Sequence, residues 1–179
     1  MLQRNQASLV LIDIQVKLAA RMHDKEALYR NLQILVQGAK ALELPILWLE
    51  QYPRGLGPTI PEVAELLRDR QPLAKTCFSA CGLDAFQDTL RASGRRQILL
   101  AGIESHICVW QTARDLLNTG HHVEIVSDAV SSRTAANKTL GLERMRQVGA
   151  EITSVEMCLF ELLKQAGSAE FKQIAALVK

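Results

Sequence analysis

Short apolar runs, several of them ending in a polar residue, alternate along this chain with stretches of helical periodicity, and that alternation limits the fold more than any other feature. Ser8-Leu9-Val10-Leu11-Ile12-Asp13 is continuously apolar up to its terminal acid, the pattern of a strand buried on both faces of a parallel sheet. Lys25 to Leu42 carries Leu28, Leu32, Leu35, Val36 and Ala39 at helical spacing. Pro45 to Glu50 reads as a second strand, Gln51 to Thr59 with its prolines and glycines as loop, and Pro61 to Leu67 as a short helix. A short third strand is expected at Leu73-Ala74-Lys75, followed by a helix capped by Asp84 and running to Ala92. Gln97 to Ala101 gives a fourth strand and Ser105 to Leu117 a helix stopped by Gly120. His122 to Val126 gives a fifth strand ended by Ser127-Asp128, Ala135 to Val148 a helix stopped by Gly149, and Glu151 to Val155 a short sixth strand. Met157 to Lys179 reads as two short helices broken at Gly167-Ser168. Strand following helix throughout calls for an α/β fold with a parallel sheet, helices on both faces and right-handed crossovers. No repeat, low-complexity segment or linker interrupts the pattern, so one domain spanning residues 1–179 is expected.

A chain of 179 residues can bury a sizeable core. Its net charge of +2 is small and its basic residues are scattered, which argues against a nucleic-acid partner. No apolar run approaches the roughly 20 residues that span a bilayer. The polar Met1 to Gln6 leads directly into a strand, so no signal peptide is expected, and the cytoplasm is the expected location. Of the four cysteines, Cys77 and Cys81 are four apart, but no second close pair and no histidine cluster completes a zinc site. Their spacing is also not that of a C-x-x-C redox motif, and free thiols are expected in a reducing compartment.

The chemistry concentrates at one edge. In parallel α/β sheets, sites lie outside the carboxyl ends of the strands. Asp13 ends the first strand, Lys75 the third, and Cys108 follows the fourth at the start of a helix. Partial positive charge at a helix N-terminus favours the thiolate, the nucleophilic form. Lys75 lies among uncharged neighbours, Leu73-Ala74 before it and Thr76 to Cys81 after, so it is expected half-buried and in need of a partner. Taken singly, Asp13 reads equally as a loop acid, Lys75 as a solvated surface lysine and Cys108 as a packed core thiol. Together they suggest nucleophilic hydrolysis.

The three residues and their flanks resemble the isochorismatase-like (cysteine) hydrolase superfamily. The resemblance rests on Leu11-Ile12-Asp13-Ile14-Gln15, Lys75-Thr76-Cys77-Phe78-Ser79-Ala80, Gly102-Ile103-Glu104-Ser105-His106-Ile107-Cys108-Val109 with Thr112-Ala113, Gly120, and Ser127-Asp128-Ala129. It implies a six-stranded, three-layer, Rossmann-like parallel sheet in a homo-oligomer, a dimer or larger. It also implies a catalytic triad of Asp13, Lys75 and Cys108. Asp13 would take the thiol proton, Lys75 would keep Asp13 anionic and favour the thiolate, and Cys108 would form a thioester. The backbone amides of Glu104 and Cys108 would form the oxyanion hole, with a cis peptide between Ile103 and Glu104.

Relatives that hydrolyse nicotinamide carry an Asp-x-His metal pair after the second strand, where this chain has Glu50-Gln51-Tyr52-Pro53-Arg54. No metal and no other cofactor is therefore expected, and a retained thiol favours acyl transfer over vinyl ether hydrolysis. The histidines do not read as ligands, and His121 and His122 simply open a strand. Pocket candidates are Gln51, Tyr52, Phe78, His106 and Trp110. His106 would touch substrate or make a loop hydrogen bond, and Trp110 would face the pocket, the core or a partner subunit. Trp48, within a strand, reads as core. The expected activity is metal-independent hydrolysis of a small amide or related C–N or acyl compound. The alternative is a binding or assembly protein of the same fold without efficient turnover.

Overall fold

In the computed structural model, which describes residues 1–179, the first apolar run forms β1 (Ala7–Ile12), a strand buried along its whole length. β2 (Ile46–Gln51) and β3 (Leu73–Lys75) lie on one side of it, and β4 (Gln97–Ile103), β5 (His122–Ser131) and β6 (Glu151–Thr153) on the other. All pairings are parallel, in the order β3-β2-β1-β4-β5-β6. Nine α-helices complete the fold: α1 (Val16–Ala19), α2 (Lys25–Ala41), α3 (Pro53–Leu56), α4 (Pro61–Ala64), α5 (Asp84–Ser93), α6 (Trp110–Asn118), α7 (Ala135–Gln147), α8 (Val155–Leu163) and α9 (Ala169–Leu177). No helix is long and apolar enough to cross a membrane.

The continuous apolar run has a simple cause. Along β1, Leu9 and Leu11 enter a core shared with α2, α4, α8 and α9, while Val10 and Ile12 enter a second core shared with α5, α6 and α7. A sheet covered on both faces needs apolar residues at odd and even positions alike. Each of these four side chains is fully buried and contributes about 1.5–3 kcal/mol.

Several boundaries differ from the sequence reading. β5 runs on through Ser127-Asp128 to Ser131, because the pairing register shifts: extra residues of β5 between Ile125 and Val130 face Ala101 of β4, after which Val130 and Ser131 pair with Gly102 and Ile103. Gln51 is the last residue of β2, not loop, and Pro53 at the first helical position starts the single turn α3 inside the segment expected to be irregular. Asp84 is the first residue of α5 and makes no cap hydrogen bond, with Leu83 in the cap position. β6 ends at Thr153 because Ser154 caps α8, its Oγ accepting from the Met157 amide at 3.2 Å. The helix expected from Ser105 begins as a π-helical turn, Ser105–Val109, and becomes α6 only at Trp110.

The order reverses direction between β1 and β4, the place where such sheets open a crevice. The two strands approach so closely there that a Cβ on Gly102 (φ +116°) would lie 2.1 Å from the Ile12 carbonyl oxygen. Gly102→Ala will therefore lose about 3 kcal/mol or more of stability, read as a lowered urea midpoint with unchanged slope. A wild-type midpoint would refute the packing.

Candidate active site

Each residue of the expected triad leaves the carboxyl end of a strand. Asp13 follows β1 in the left-handed conformation (φ 54°), Lys75 is the last residue of β3, and Cys108 lies in the π-helical turn after β4. All three are buried, at 2%, 3% and 7% exposure. Lys75 is thus more deeply buried than the half-buried position expected for it, and it has the partners that burial demands. Its Nζ donates to Asp13 Oδ2 at 2.8 Å and Gln51 Oε1 at 2.6 Å, and to the carbonyls of Cys77 (3.2 Å) and Phe78 (3.1 Å). The two carboxylate oxygens of Asp13 differ: Oδ2 is held by Lys75, while Oδ1 is buried with no hydrogen-bond partner.

Burial pushes the Asp13 carboxyl above the usual carboxylate range, against the opposing pull of Lys75 and of the neighbouring Cys108 thiol. Burial, then the Asp13 charge, pushes the Cys108 thiol up to about 12, with Lys75 only partly opposing. This runs against the expected pull of the helix N-terminus toward the thiolate. Asp13 outweighs Lys75 at the sulfur, and the cysteine sits inside the π-helical turn, not at the first residue of α6. Burial and the Asp13 charge thus favour the neutral thiol of Cys108.

The loop before Cys108 is held on several sides. The Ile103–Glu104 peptide bond is cis. The Glu104 amide donates to no group of the protein, whereas its carbonyl accepts from the amides of Ile107 and Val109. Ser105 Oγ donates to the Ser131 carbonyl at 2.9 Å, and Arg133 Nε donates to Glu104 Oε1 at 3.0 Å. α7 presses onto this loop at Gly141, where a Cβ would meet the Ser105 carbonyl carbon at 2.7 Å.

The five pocket candidates have different fates. Gln51 is spent on Lys75 through Oε1 and on the Thr76 carbonyl through Nε2. Tyr52 and Phe78 are exposed, but both stay close to Lys75: the Tyr52 amide donates to the Lys75 carbonyl at 2.8 Å. His106 makes the loop contact, Nδ1 lying 2.9 Å from Ser132 Oγ. Trp110 packs partly against the core, with the Arg144 guanidinium 5.1 Å from its ring centre. Trp48 is core, as its sequence position suggested. A cavity of about 670 Å³ includes none of these residues. It lies between α5 and α6 beside Arg96 and His121, at the opposite end of the strands from the triad.

One residue the sequence reading passed over is structurally central. Gln15 is fully buried and ties the end of β1 to that of β2: its Oε1 accepts from the Gln51 amide at 2.8 Å, and its Nε2 donates to the carbonyls of Gln51 (2.9 Å) and Gly57 (2.7 Å). Its place two residues after Asp13 was the available signal. Glu50 is likewise spent internally, Oε1 accepting from both the amide and the hydroxyl of Thr59.

This arrangement can be set beside known proteins. An isochorismatase domain model matches residues 7–157. The secreted isochorismatase effector Isc1 of Phytophthora sojae is 43% identical over 149 residues, covering 81% of this chain and 71% of its own. Human isochorismatase domain-containing protein 2 is 43% identical over 147 residues, covering 81% and 69%. Among solved structures, the MAR1 ribonuclease of Caenorhabditis elegans superposes with a TM-score of 0.93 at 34% identity, covering 99% of this chain and 91% of its own. The YcaC gene product of Escherichia coli, described as an octameric hydrolase of unknown specificity, shares the fold with a TM-score of 0.92 at 24% identity, covering 98% and 89%. With the family model spanning residues 7–157 and relatives 43% identical over most of the chain, the chain belongs to the isochorismatase family and is a hydrolase of that family.

Proposed function

We propose that the chain is a metal-independent cysteine hydrolase of a small amide or related C–N or acyl compound, acting through a thioester on Cys108. The observation that carries this reading is the division of labour at Asp13, whose charge acts on the Cys108 thiol, with one oxygen fixed by Lys75 and the other buried and unpartnered. Such an oxygen is a base with its proton site free.

In this mechanism the Cys108 S–H proton passes to Asp13 Oδ1 as sulfur attacks the substrate carbonyl carbon. Attack and proton transfer are coupled, since the thiol is not ionised beforehand. Negative charge develops on the substrate oxygen, and the Glu104 and Cys108 amides stabilise it. The unpaired Glu104 amide supports the first of these roles. Collapse breaks the C–N bond, and the leaving amine takes the proton from Asp13. Water then attacks the thioester carbon, Asp13 receives its proton, and the returning proton restores the thiol as the acid is released. Lys75 stays charged throughout and holds Oδ2. Glu50 and Gln51, in the segment where nicotinamide-hydrolysing relatives carry their metal pair, are engaged with Thr59 and Lys75, which supports a reaction carried by side chains alone.

The chain works in this reading as one hydrolase domain within a homo-oligomer. Exposed Tyr52, Phe78, Leu140, Met157 and Phe160 provide apolar surface for subunit contact, and the YcaC relative is an octamer. A nucleic-acid substrate, as the name of the Caenorhabditis relative would suggest, is disfavoured by the net charge of +2.

The test is a panel of small aliphatic and aromatic amides and esters, with intact mass measured during turnover. The expected result is an acyl increment on the wild-type chain and, for Cys108→Ser, a rate loss on the order of 10³-fold or more with no such increment. Turnover that survives Cys108→Ser would overturn the mechanism. No turnover of any compound, with specific binding retained, would favour the binding protein.

A further inference from the structure

Away from the triad, at the amino-terminal end of the sheet, the fold gathers one histidine and two carboxylates. His122 and Glu124 are two apart on β5 and so share a face. Glu151 is the register partner of Glu124 on β6, the edge strand. His122 Nε2 lies 3.1 Å from Glu124 Oε1 and 3.7 Å from Glu151 Oε2, and the three donor atoms all fall within 4.8 Å of one another.

Two features of this trio require explanation. Like charges directly opposite on neighbouring strands destabilise a sheet. The Glu124 side chain is only 4% exposed, yet it has no hydrogen-bond partner beyond His122, and no lysine or arginine forms an ion pair with it or with Glu151. A buried carboxylate demands more compensation than one half-exposed imidazole. A third carboxylate, Glu161, is near enough to Glu124 to add negative potential, its own Oε1 accepting from the Leu2 amide at 2.6 Å.

We propose that His122, Glu124 and Glu151 bind one divalent transition-metal ion of the zinc class, clamping the edge strand β6 onto β5. An imidazole nitrogen and two carboxylate oxygens are a suitable donor set for such an ion. Metal–ligand bonds of about 2.1 Å in a tetrahedron place donor atoms about 3.4 Å apart. The separations of 3.1 and 3.7 Å bracket that value. Water would supply the fourth ligand on the open side, where Glu151 is exposed. The role is structural, because these residues lie at the opposite end of the strands from Asp13 and Cys108. Sequence spacing concealed the group because its third member comes from another strand.

The test is calorimetric titration of the full chain with zinc chloride, together with the absorption spectrum of the cobalt(II) form. Wild type is expected to take one equivalent, to melt at a higher temperature with zinc, and to give tetrahedral cobalt bands without a thiolate charge-transfer band. Glu151→Gln and His122→Ala are each expected to weaken binding at least about tenfold and to abolish the rise in melting temperature. Glu151 is exposed, so its variant will fold even if His122→Ala does not. Absence of binding at millimolar zinc would overturn the site. So would binding unchanged in Glu151→Gln, or binding lost instead on Cys77→Ser or Cys81→Ser.

Discussion

Asp13→Asn will speed alkylation of Cys108 while stopping turnover. The two effects have opposite signs because Asp13 does two things to one thiol. Its charge, after burial, is the largest influence holding Cys108 up at about 12, and Lys75 pulls the other way. Asparagine removes the charge and leaves the lysine, so the thiol becomes more acidic. Each unit of fall multiplies the thiolate about tenfold and lowers its intrinsic reactivity about threefold, a net gain of roughly threefold in rate at mildly alkaline pH. Asparagine cannot accept the proton during attack, so catalysis falls by on the order of 10²–10⁴-fold. Iodoacetamide labelling followed by peptide mass across pH reads the first effect, and hydrolysis of any substrate found by screening reads the second. Labelling slowed by Asp13→Asn would mean that Asp13 assists ionisation instead of opposing it, and the coupled mechanism would fail.

Lys75→Met will cost about 3–5 kcal/mol of stability at neutral pH, and adding Asp13→Asn will recover most of it. The pair is fully buried at 2.8 Å, and removing one member strands the other charge. The pH dependence has a definite sign. Asp13 already has a folded-state pKa above its ordinary value of 3.8, so its contribution to stability is fully present below that value and is lost as pH rises through the raised one. Lys75→Met removes the lowering influence and lifts the folded pKa further. The penalty of the variant is therefore complete at neutral pH and shrinks as acid protonates Asp13. Urea unfolding of the wild type, the single variant and the double variant, at neutral and mildly acidic pH, measures all of this. A pH-independent penalty, or a double variant no more stable than the single one, would show that lost packing is the cause.

The sequence made the frame of this fold legible because the frame is local. The continuous run of β1, the helical spacing of α2 and the glycine and proline punctuation report burial and backbone conformation residue by residue. The same holds for Asp13, Lys75 and Cys108, each placed at a strand's carboxyl end by its own neighbours. What escaped depends on distant partners. β5 outruns its turn signal because, after an irregular segment of its own, it pairs with β4 again at Gly102 and Ile103. Gln15 is important only because Gln51 and Gly57 arrive beside it from elsewhere in the chain. The acidity of Cys108 was hard to read for the same reason: helix-end reasoning sees the cysteine's own segment, whereas its burial and the Asp13 charge come from other elements.

The pairing of β1 with β4 joins Ala7 to Gln97 and Ile12 to Gly102. Contacts so far apart in the chain require the closure of a long loop, and they form slowly compared with helices and neighbouring pairings. Asp13 and Cys108 therefore meet only when the central and least local strand pairing of the sheet is complete. Before then Cys108 is an ordinary free thiol, without the burial and adjacent negative charge that keep it protonated in the finished molecule. The nascent chain is accordingly more open to oxidation at this sulfur than the mature one, and in the proposed mechanism folding itself switches on both the protection of the nucleophile and the base that uses it.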